Sequence, residues 1–135
     1  MNLITGATGF IGERLVAPGD RALVRRPAGF AHEVVGGLED AGALARACAG
    51  VETVFHCAGI AEAAAHADPD RHWRINFEGT KNPVEAVGGA GVRRFVFFPV
   101  LPRWLGLEMA VQMKAYPAGR LRSTDVPSVQ LKRLL

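Results

Sequence analysis

Short apolar runs alternate with longer stretches of mixed polarity along the chain, and this alternation predicts strands and helices in turn. The apolar runs predict strands at Asn2–Thr5, Arg21–Arg25, Glu33–Val35, Glu52–Ala58, Arg94–Phe98 and Val126–Lys132. The stretches between them predict helices at Phe10–Ala17, Ala41–Ala49, Asp70 to about Val87 and, in the main, Leu105–Ser123. Because the strands are apolar on both faces, we expect a parallel sheet covered by helices on each side. The predicted fold class is α/β, with a single doubly wound domain.

Capping and breaking residues set several of these boundaries. Asp40 is the predicted N-cap of the second helix, and Gly50 is placed to end it as the C′ glycine. Pro18 and Gly19 end the first helix. Pro83 falls inside the third helix, where it predicts a kink.

The composition is that of a globular domain with a substantial core, since 49% of the 135 residues are hydrophobic and 21% are charged. The net charge of +3 divides into −2 over residues 1–67 and +5 over residues 68–135. These charges form no basic stripe with interleaved aromatic residues, so we expect no nucleic-acid partner. No apolar run is long enough for a transmembrane helix and no basic signal region opens the chain. We therefore expect a cytoplasmic protein without membrane contact.

The two cysteines, Cys48 and Cys57, lie in a predicted helix and a predicted buried strand. Two cysteines are too few for a disulfide framework, and their spacing does not suit a zinc site. We expect no metal site and interpret both residues as reduced, buried small hydrophobes.

One motif carries specific chemistry. The segment Thr5–Gly12, TGATGFIG, leaves the first strand and enters the first helix. Gly6 allows a tight turn, Gly9 lets the backbone approach a pyrophosphate, and Gly12 allows close packing of helix on strand. The free N–H groups at the start of the helix favour a phosphate. The motif predicts a dinucleotide-binding turn, the alternative being an ordinary glycine-rich connection.

Together with the later segments VRRP, VETVFHCAG, INFEGTKN, GVRRFVFF and LRSTDVPSVQLKR, this motif resembles the extended short-chain dehydrogenase/reductase family, nearest to its NAD-dependent epimerase/dehydratase group. The resemblance implies a Rossmann-type fold that binds NAD or NADP. We expect residues 1–135 to form one NAD(P)-binding domain, without the substrate-binding part that relatives carry beyond it. The candidate cofactor-binding residues are Gly6, Thr8, Gly9, Phe10, Ile11, Gly12, Arg25, Arg26, Leu38, Cys57, Ala58 and Gly59.

The end of the second strand bears on the choice between NAD and NADP. An acidic residue there bonds the ribose 2′-hydroxyl of NAD, but this strand ends in Arg25 and Arg26. Two guanidiniums suit a 2′-phosphate, so we expect NADP to be preferred over NAD, the alternative being two solvated arginines. The resemblance also implies an acid after the third strand that contacts the adenine. Gly37 stands in its place, which weakens that subsite.

Two polar residues fall within the segments that carry the resemblance. His56 lies on a buried strand, and we interpret it as a core residue with satisfied hydrogen bonds rather than an acid or base. The resemblance implies that Asn76 braces the sheet near the active site, the alternative being a polar residue on a helix face.

The catalytic residues that the resemblance implies are incomplete. The family uses a Ser or Thr after the fifth strand, and a Tyr followed four residues later by a Lys that lowers its pKa. Here the fifth strand runs into PVLP, which has no hydroxyl. In one register Lys114 is the family lysine and Ala110 takes the tyrosine position. In the other, Tyr116 is the tyrosine and Arg120 replaces the lysine. Lys114 is the preferred catalytic candidate, because the downstream segments then align without gaps.

Two main functions remain open at this point, and the sequence leaves catalysis undecided. The first is an NAD(P)-dependent oxidoreductase or epimerase acting on a hydroxyl or carbonyl of a sugar nucleotide or similar metabolite. The second is a non-catalytic dinucleotide-binding sensor or interaction module, and a decayed fragment is a third alternative. The expected partners are a dinucleotide, a small-molecule substrate and a second copy in a homodimer.

Overall fold

A six-stranded sheet forms the centre of the fold in the computed structural model, which describes residues 1–60, 68–98 and 114–117. The strands are β1 (Asn2–Thr5), β2 (Arg21–Val24), β3 (Glu33–Val35), β4 (Thr53–His56), β5 (Arg94–Phe97) and β6 (Lys114–Pro117). Their order across the sheet is β3-β2-β1-β4-β5-β6, and the first five are parallel. The strand order reverses direction between β1 and β4, as in a doubly wound Rossmann sheet, which confirms the predicted fold class.

The described helices are α1 (Gly12–Leu15), α2 (Ala41–Cys48), α3 (Pro69–Trp73) and α4 (Gly79–Gly89), with a π-helical turn, π1 (Arg74–Glu78), between the last two. None of the helices in the described ranges has the length and apolar character needed to cross a membrane.

The core lies on both faces of the sheet, as strands apolar on both sides predict. Leu3 packs in one cluster with Val54 and Phe95, whereas its neighbour Ile4 packs in a second cluster with Ala22. Successive side chains of a strand point to opposite faces, so the two clusters lie on opposite sides of the sheet. The larger cluster also contains the buried side chains of α2 and α4, which cover that face.

The first helix is shorter than the predicted Phe10–Ala17. Residues 6–11 instead form the turn off β1, in which the Gly9 N–H donates to the Gly6 carbonyl at 2.9 Å. A second turn, closed by the Asp20 N–H and the Ala17 carbonyl at 3.0 Å, returns the chain to β2. Only one turn of helix fits between them.

Both predicted ends of α2 are confirmed. The Asp40 carboxylate accepts a hydrogen bond from the Ala43 N–H at 2.9 Å, as an N-cap does. The helix ends at Cys48, and Gly50 follows with a φ of +69°, the backbone conformation of a C′ glycine.

Arg21 of β2 forms hydrogen bonds with the backbone carbonyls at the C-terminal end of α2. Its Nη1 donates to the carbonyls of Arg46, Ala47 and Ala49 at 3.2, 2.8 and 2.7 Å. The last carbonyls of a helix have no partner within it and carry the negative end of the helix dipole. One cation from the sheet therefore both satisfies these oxygens and fixes α2 against β2.

We expect Arg21→Met to lower the free energy of unfolding by about 2 kcal/mol, because hydrogen bonds from a charged donor are lost and only the apolar stem is kept. A urea titration measures this loss. Arg93→Met is the control, since Arg93 forms an exposed ion pair with Glu52 at 2.9 Å, and it should cost at most about 0.5 kcal/mol. Equal losses in the two variants would contradict the role given to Arg21.

The predicted helix from Asp70 to about Val87 is present, and it contains an unpredicted π-helical turn before Pro83. In π1 the Gly79 N–H donates to the Arg74 carbonyl, five residues back, and α4 then continues through Pro83. The hydroxyl of Thr80 donates to the Asn76 carbonyl at 2.8 Å, which supports the widened turn. The kink at Pro83 stays a prediction, and π-helical turns such as π1 occur frequently at functional sites.

The structure of β6 contradicts the predicted helix Leu105–Ser123 at Lys114–Pro117, and the rest of that predicted helix lies outside the described residues. Residues Lys114–Pro117 are extended and pair antiparallel with β5. This pairing satisfies backbone groups that the edge of β5 would otherwise expose, and it outweighs a local helical pattern that Pro117 already weakens. The predicted strand Val126–Lys132 lies outside the described residues.

Candidate functional site

A groove with a volume of about 580 Å³ lies at the carboxyl ends of the central strands. Its walls are the ends of β1, β2 and β4, the loop after β3, and one face of the segment from α3 to α4. In open α/β sheets this is the edge at which ligands bind, where the strand order changes direction. The described part of the chain therefore places a ligand-sized groove at the position that the fold favours.

The glycine motif forms the floor of the groove, and its geometry requires glycine at two positions. Gly6 has a φ of +69°, and a Cβ on it would lie 2.6 Å from the backbone nitrogen of Ala58. Gly12 packs so closely on the Gly6 carbonyl that a side chain there would overlap backbone atoms. Gly9 is different, because its Cβ would meet only the Gly6 oxygen, at 3.2 Å, and Gly9 itself lines the groove. No side chain of Gly9 thus covers the turn where it lines the groove, while the Gly9 N–H itself is used within the turn.

The segment after β4 is fixed beside this loop by hydrogen bonds. The Cys57 N–H donates to the Thr5 carbonyl at 3.1 Å, and the Ala58 N–H donates to Thr5 Oγ1 at 3.4 Å. Asn76 makes two hydrogen bonds to the same segment. Its side-chain amide accepts from the Ile60 N–H at 2.9 Å and donates to the Ile60 carbonyl at 3.0 Å. Asn76 therefore braces the wall of the groove from π1.

Cys57 is only partly buried and lines the groove, which corrects the expectation that both cysteines are buried. Both are free, and Cys48 is buried as predicted. Burial raises the pKa of the Cys57 thiol to about 12, so it stays protonated at neutral pH. Cys57 thus contributes a small, uncharged surface and not a nucleophile.

His56 lies directly beneath the groove and is a core residue, as predicted. Its side chain is buried, and its ring stacks with Phe95 and Phe97 at centroid distances of 5.7 and 5.8 Å. Nδ1 lies 2.7 Å from Thr5 Oγ1, and Nε2 lies 3.1 Å from Thr80 Oγ1. Both ring nitrogens are therefore paired with hydroxyls.

The direction of each bond follows from the donors available. The Thr80 hydroxyl gives its proton to the Asn76 carbonyl, so its oxygen accepts from His56 Nε2–H. Nδ1 then accepts from the Thr5 hydroxyl. The ring is neutral, and burial lowers the pKa of His56 from 6.5 to about 4. This network links β1, β4 and α4 under the groove.

The far wall of the groove was missed by the sequence prediction. It consists of one stripe along α3, π1 and α4, formed by Arg71, Arg74, Ile75, Glu78, Gly79 and Asn82. These residues recur at intervals of three and four, which is the spacing of one helix face and the signal that could have revealed them. The wall is anchored because Asn82 Nδ2 donates to the Leu38 carbonyl at 3.0 Å.

Most of the predicted cofactor-binding residues lie together in this groove. Those that line it are Gly6, Thr8, Gly9, Arg25, Leu38, Cys57, Ala58 and Gly59. Those that do not are Phe10, Ile11, Gly12 and Arg26.

The residues outside the groove have other surroundings. Gly12 is buried in the packing of α1 on β1, where it has the structural role that the motif predicts. Phe10 is 77% exposed, and the Arg14 guanidinium carbon lies 4.1 Å from its ring centroid. Of the catalytic candidates, Lys114 and Tyr116 have their backbone in the strand β6 and not in a helix, while Ala110 and Arg120 lie outside the described residues.

Comparison with known proteins agrees with this fold. Residues 2–99 match the NAD dependent epimerase/dehydratase family. A 3-beta-hydroxysteroid dehydrogenase from Mycolicibacterium neoaurum is 37% identical over 111 residues, which are 70% of this chain and 30% of that protein. A 3 beta-hydroxysteroid dehydrogenase/Delta 5→4-isomerase from Mycobacterium tuberculosis is 36% identical over 111 residues, which again are 70% of this chain and 30% of that protein. The chain thus spans about 30% of the length of these curated relatives.

Two solved structures with the same fold hold NAD. A short-chain dehydrogenase/reductase superfamily protein from Agrobacterium tumefaciens with bound NAD superposes with a TM-score of 0.63 and 42% identity, over 72% of this chain and 31% of that one. MoeE5 in complex with UDP-glucuronic acid and NAD superposes with a TM-score of 0.64 and 31% identity, over 71% of this chain and 35% of that one.

Proposed function

Because this chain belongs to the NAD dependent epimerase/dehydratase family, we propose that its groove binds a nicotinamide dinucleotide. The single observation that carries this is the glycine turn, which lines the groove where β1 meets α1 and has no side chain at Gly9 to cover it. Amides at the start of a helix, with no side chain over them, suit the diphosphate of NAD or NADP. The cofactor supplies the hydride chemistry, while the residues of this chain bind and orient it.

The second part of the proposal is a preference for NADP over NAD. Arg25 follows β2 directly and lines the groove, at the place where an acid would bond the 2′-hydroxyl of NAD. Its guanidinium suits the 2′-phosphate of NADP through charge-assisted hydrogen bonds. Arg26 lies outside the groove, so Arg25 is the residue on which the preference depends. The related structures named above hold NAD, and none of them tests this residue.

We expect Arg25→Ala to weaken NADP binding by roughly ten- to a hundredfold and to change NAD binding by less than about threefold, because only NADP loses a charged partner. Isothermal titration calorimetry with both nucleotides measures the two affinities. Arg26→Ala is the matched control and should leave the ratio near that of the wild-type chain. A wild-type chain that binds NAD as tightly as NADP would remove the proposed preference, although dinucleotide binding itself would stand.

The substrate class proposed for the whole protein is a hydroxyl or carbonyl metabolite such as a sugar nucleotide. The names of the relatives support this only at the level of chemistry, since they include a UDP-sugar complex and steroid dehydrogenases. The activity in this case would be that of an oxidoreductase or epimerase. A cytoplasmic location, a homodimer and a role for Lys114 or Tyr116 in proton transfer stay predictions.

A second candidate function is dinucleotide binding without turnover. The observation that favours it is the sequence PVLP after β5, where the resemblance implies a Ser or Thr. A substrate carbonyl needs a hydrogen-bond donor in the active site, and the side chains of proline, valine and leucine offer none. Change in nicotinamide absorbance with a panel of carbonyl substrates separates the two functions, because only the first predicts a signal.

A further inference from the structure

The part of the groove wall that follows β4 is held at both of its ends. Residues 58–60, here called the near wall, all line the groove. At one end the Ala58 N–H donates to Thr5 Oγ1 of β1 at 3.4 Å. At the other end the Asn76 side chain accepts from the Ile60 N–H at 2.9 Å and donates to the Ile60 carbonyl at 3.0 Å. The near wall is thus supported from β1 and from π1.

Buried hydrogen bonds connect these two supports beneath the groove. The Thr5 hydroxyl donates to His56 Nδ1 at 2.7 Å, and His56 Nε2–H donates to Thr80 Oγ1 at 3.1 Å. The Thr80 hydroxyl then donates to the Asn76 carbonyl at 2.8 Å. The side chains of both threonines and of the histidine are buried. Together with the near wall, these bonds form a closed network, since they begin at one end of the near wall and return to its other end.

Each hydroxyl of the closed network accepts one hydrogen bond and donates another. Thr5 Oγ1 accepts from Ala58 and donates to His56, while Thr80 Oγ1 accepts from His56 and donates to π1. Because both hydroxyls are buried, turning either of them to another partner would leave a polar group unsatisfied. The imidazole between them stacks with two phenylalanine rings and cannot tilt freely. A displacement at one end of the near wall is therefore opposed by bonds that reach the other end.

The near wall packs against the glycine turn, although its own sequence restrains it little. A Cβ on Gly6 would lie only 2.6 Å from the Ala58 nitrogen, so the two backbones are in direct contact. The central residue of the near wall is Gly59, and glycine is the residue with the greatest backbone freedom. The shape of the groove beside the glycine turn therefore depends on the closed network.

We propose that Thr5 and Thr80 are positioning residues for the dinucleotide, because the closed network holds the near wall in place beside the glycine turn. Thr80 is the more diagnostic of the two, since it does not line the groove and acts only through other residues. This inference rests on the proposed dinucleotide binding.

Amide hydrogen exchange on the nucleotide-free chain tests the closed network directly. Thr5→Val removes the hydroxyl that is bonded to Ala58 but no atom that is bonded to Ile60. We expect the amide hydrogens of both Ala58 and Ile60 to exchange at least about fivefold faster in this variant. Thr80→Val opens the network on its other side and should have the same effect on both amides. Faster exchange only at the end nearer to each substitution would show that the two supports are independent and would overturn the inference.

Calorimetric titration with NADP measures the effect on binding. We expect Thr5→Val and Thr80→Val each to weaken binding roughly three- to tenfold, the effect of one buried hydrogen bond. The double variant should bind about as weakly as either single variant, because the first substitution already opens the closed network. Two independent threonines would instead give a loss equal to the product of the two single losses.

Three further variants keep the binding test specific. Thr80→Ser retains the hydroxyl and should bind NADP within about twofold of the wild type. Thr53→Val removes another buried threonine hydroxyl, at the amino end of β4 and outside the groove, and should leave the affinity unchanged. Arg21→Met lowers stability at the end of α2, away from the closed network, and should also leave the affinity unchanged. Thermal melting of each variant without nucleotide shows that the fold is intact.

The outcomes separate this inference from the proposed function. Wild-type affinity in Thr80→Val, a weakening that Thr80→Ser shares in full, or losses that multiply in the double variant would each overturn the positioning role and leave dinucleotide binding in place. A wild-type chain that does not bind NADP overturns the proposed function, whereas the exchange experiment reports on the closed network without any nucleotide. Faster exchange at both ends, with equal losses in the single and double variants, supports the assignment.

Discussion

Replacing Gly6 with alanine is expected to lower the free energy of unfolding by about 3 kcal/mol and to abolish dinucleotide binding. Two costs add up in this variant. A left-handed backbone costs an L-residue about 1–2 kcal/mol, and the φ of Gly6 is +69°. The new methyl group would also lie 2.6 Å from the Ala58 nitrogen, so the loop and the segment after β4 would have to separate. Urea unfolding with and without nucleotide measures both effects.

Gly50→Ala is the matched control for this experiment. Gly50 has the same φ of +69°, but a Cβ on it would meet no atom within 4 Å. It therefore carries the cost of the backbone conformation alone, about 1 kcal/mol, and should leave nucleotide affinity unchanged. Equal losses of stability in Gly6→Ala and Gly50→Ala would show that the close approach of the glycine turn to Ala58 does not exist in solution.

The second large effect is a loss of stability in acid that depends on His56. Burial among Thr5, Thr80, Phe95 and Phe97 lowers the pKa of the folded His56 from 6.5 to about 4. Between these pH values the unfolded chain binds a proton that the folded chain does not, so stability falls as the pH falls. A shift of this size corresponds to about 3 kcal/mol, present above pH 6.5 and lost as the pH approaches 4.

His56→Gln separates this contribution from that of the carboxylates. Glutamine offers one donor and one acceptor to the two threonine hydroxyls but does not titrate. We expect the difference in unfolding free energy between wild type and His56→Gln to shrink by about 3 kcal/mol from pH 7 to pH 4. His32→Gln, which removes an exposed imidazole, is the control and should parallel the wild-type curve. A constant difference between wild type and His56→Gln across this range would contradict the buried, neutral histidine.

The sequence predicts the fold and the floor of the groove because these depend on local signals. Apolar runs at regular intervals indicate parallel strands, and each glycine of the TGATGFIG turn has one physical reason to be glycine. Asp40 and Gly50 mark the ends of α2 for the same reason, since caps act on their immediate neighbours. His56 was predictable as a core residue from its place on a buried strand.

The remaining features depend on contacts between distant segments. Arg74 and Asn82 join the far wall only because α3, π1 and α4 pack across the ends of the strands. The strand β6 forms because its backbone pairs with the edge of β5. A local helical pattern in the sequence contains no information about this long-range pairing. The carboxylate of Glu39 comes to occupy the place left by Gly37 through the fold of its loop. At this position the sequence alone indicates only that Gly37 replaces the acidic residue that the resemblance implies.

The proposed dinucleotide site requires the backbone around Gly9 to hold the diphosphate. Calorimetric titration of the wild-type chain, of Gly9→Ala and of Gly88→Ala with NADP tests it most directly. A Cβ on Gly9, which lines the groove, would lie 3.2 Å from the Gly6 oxygen, whereas Gly88 lies in α4 with open space around it and does not line the groove. We expect NADP to bind the wild type and Gly88→Ala with similar affinity, and to bind Gly9→Ala at least tenfold more weakly. Absence of heat with the wild type, or equal affinity in all three, would contradict it.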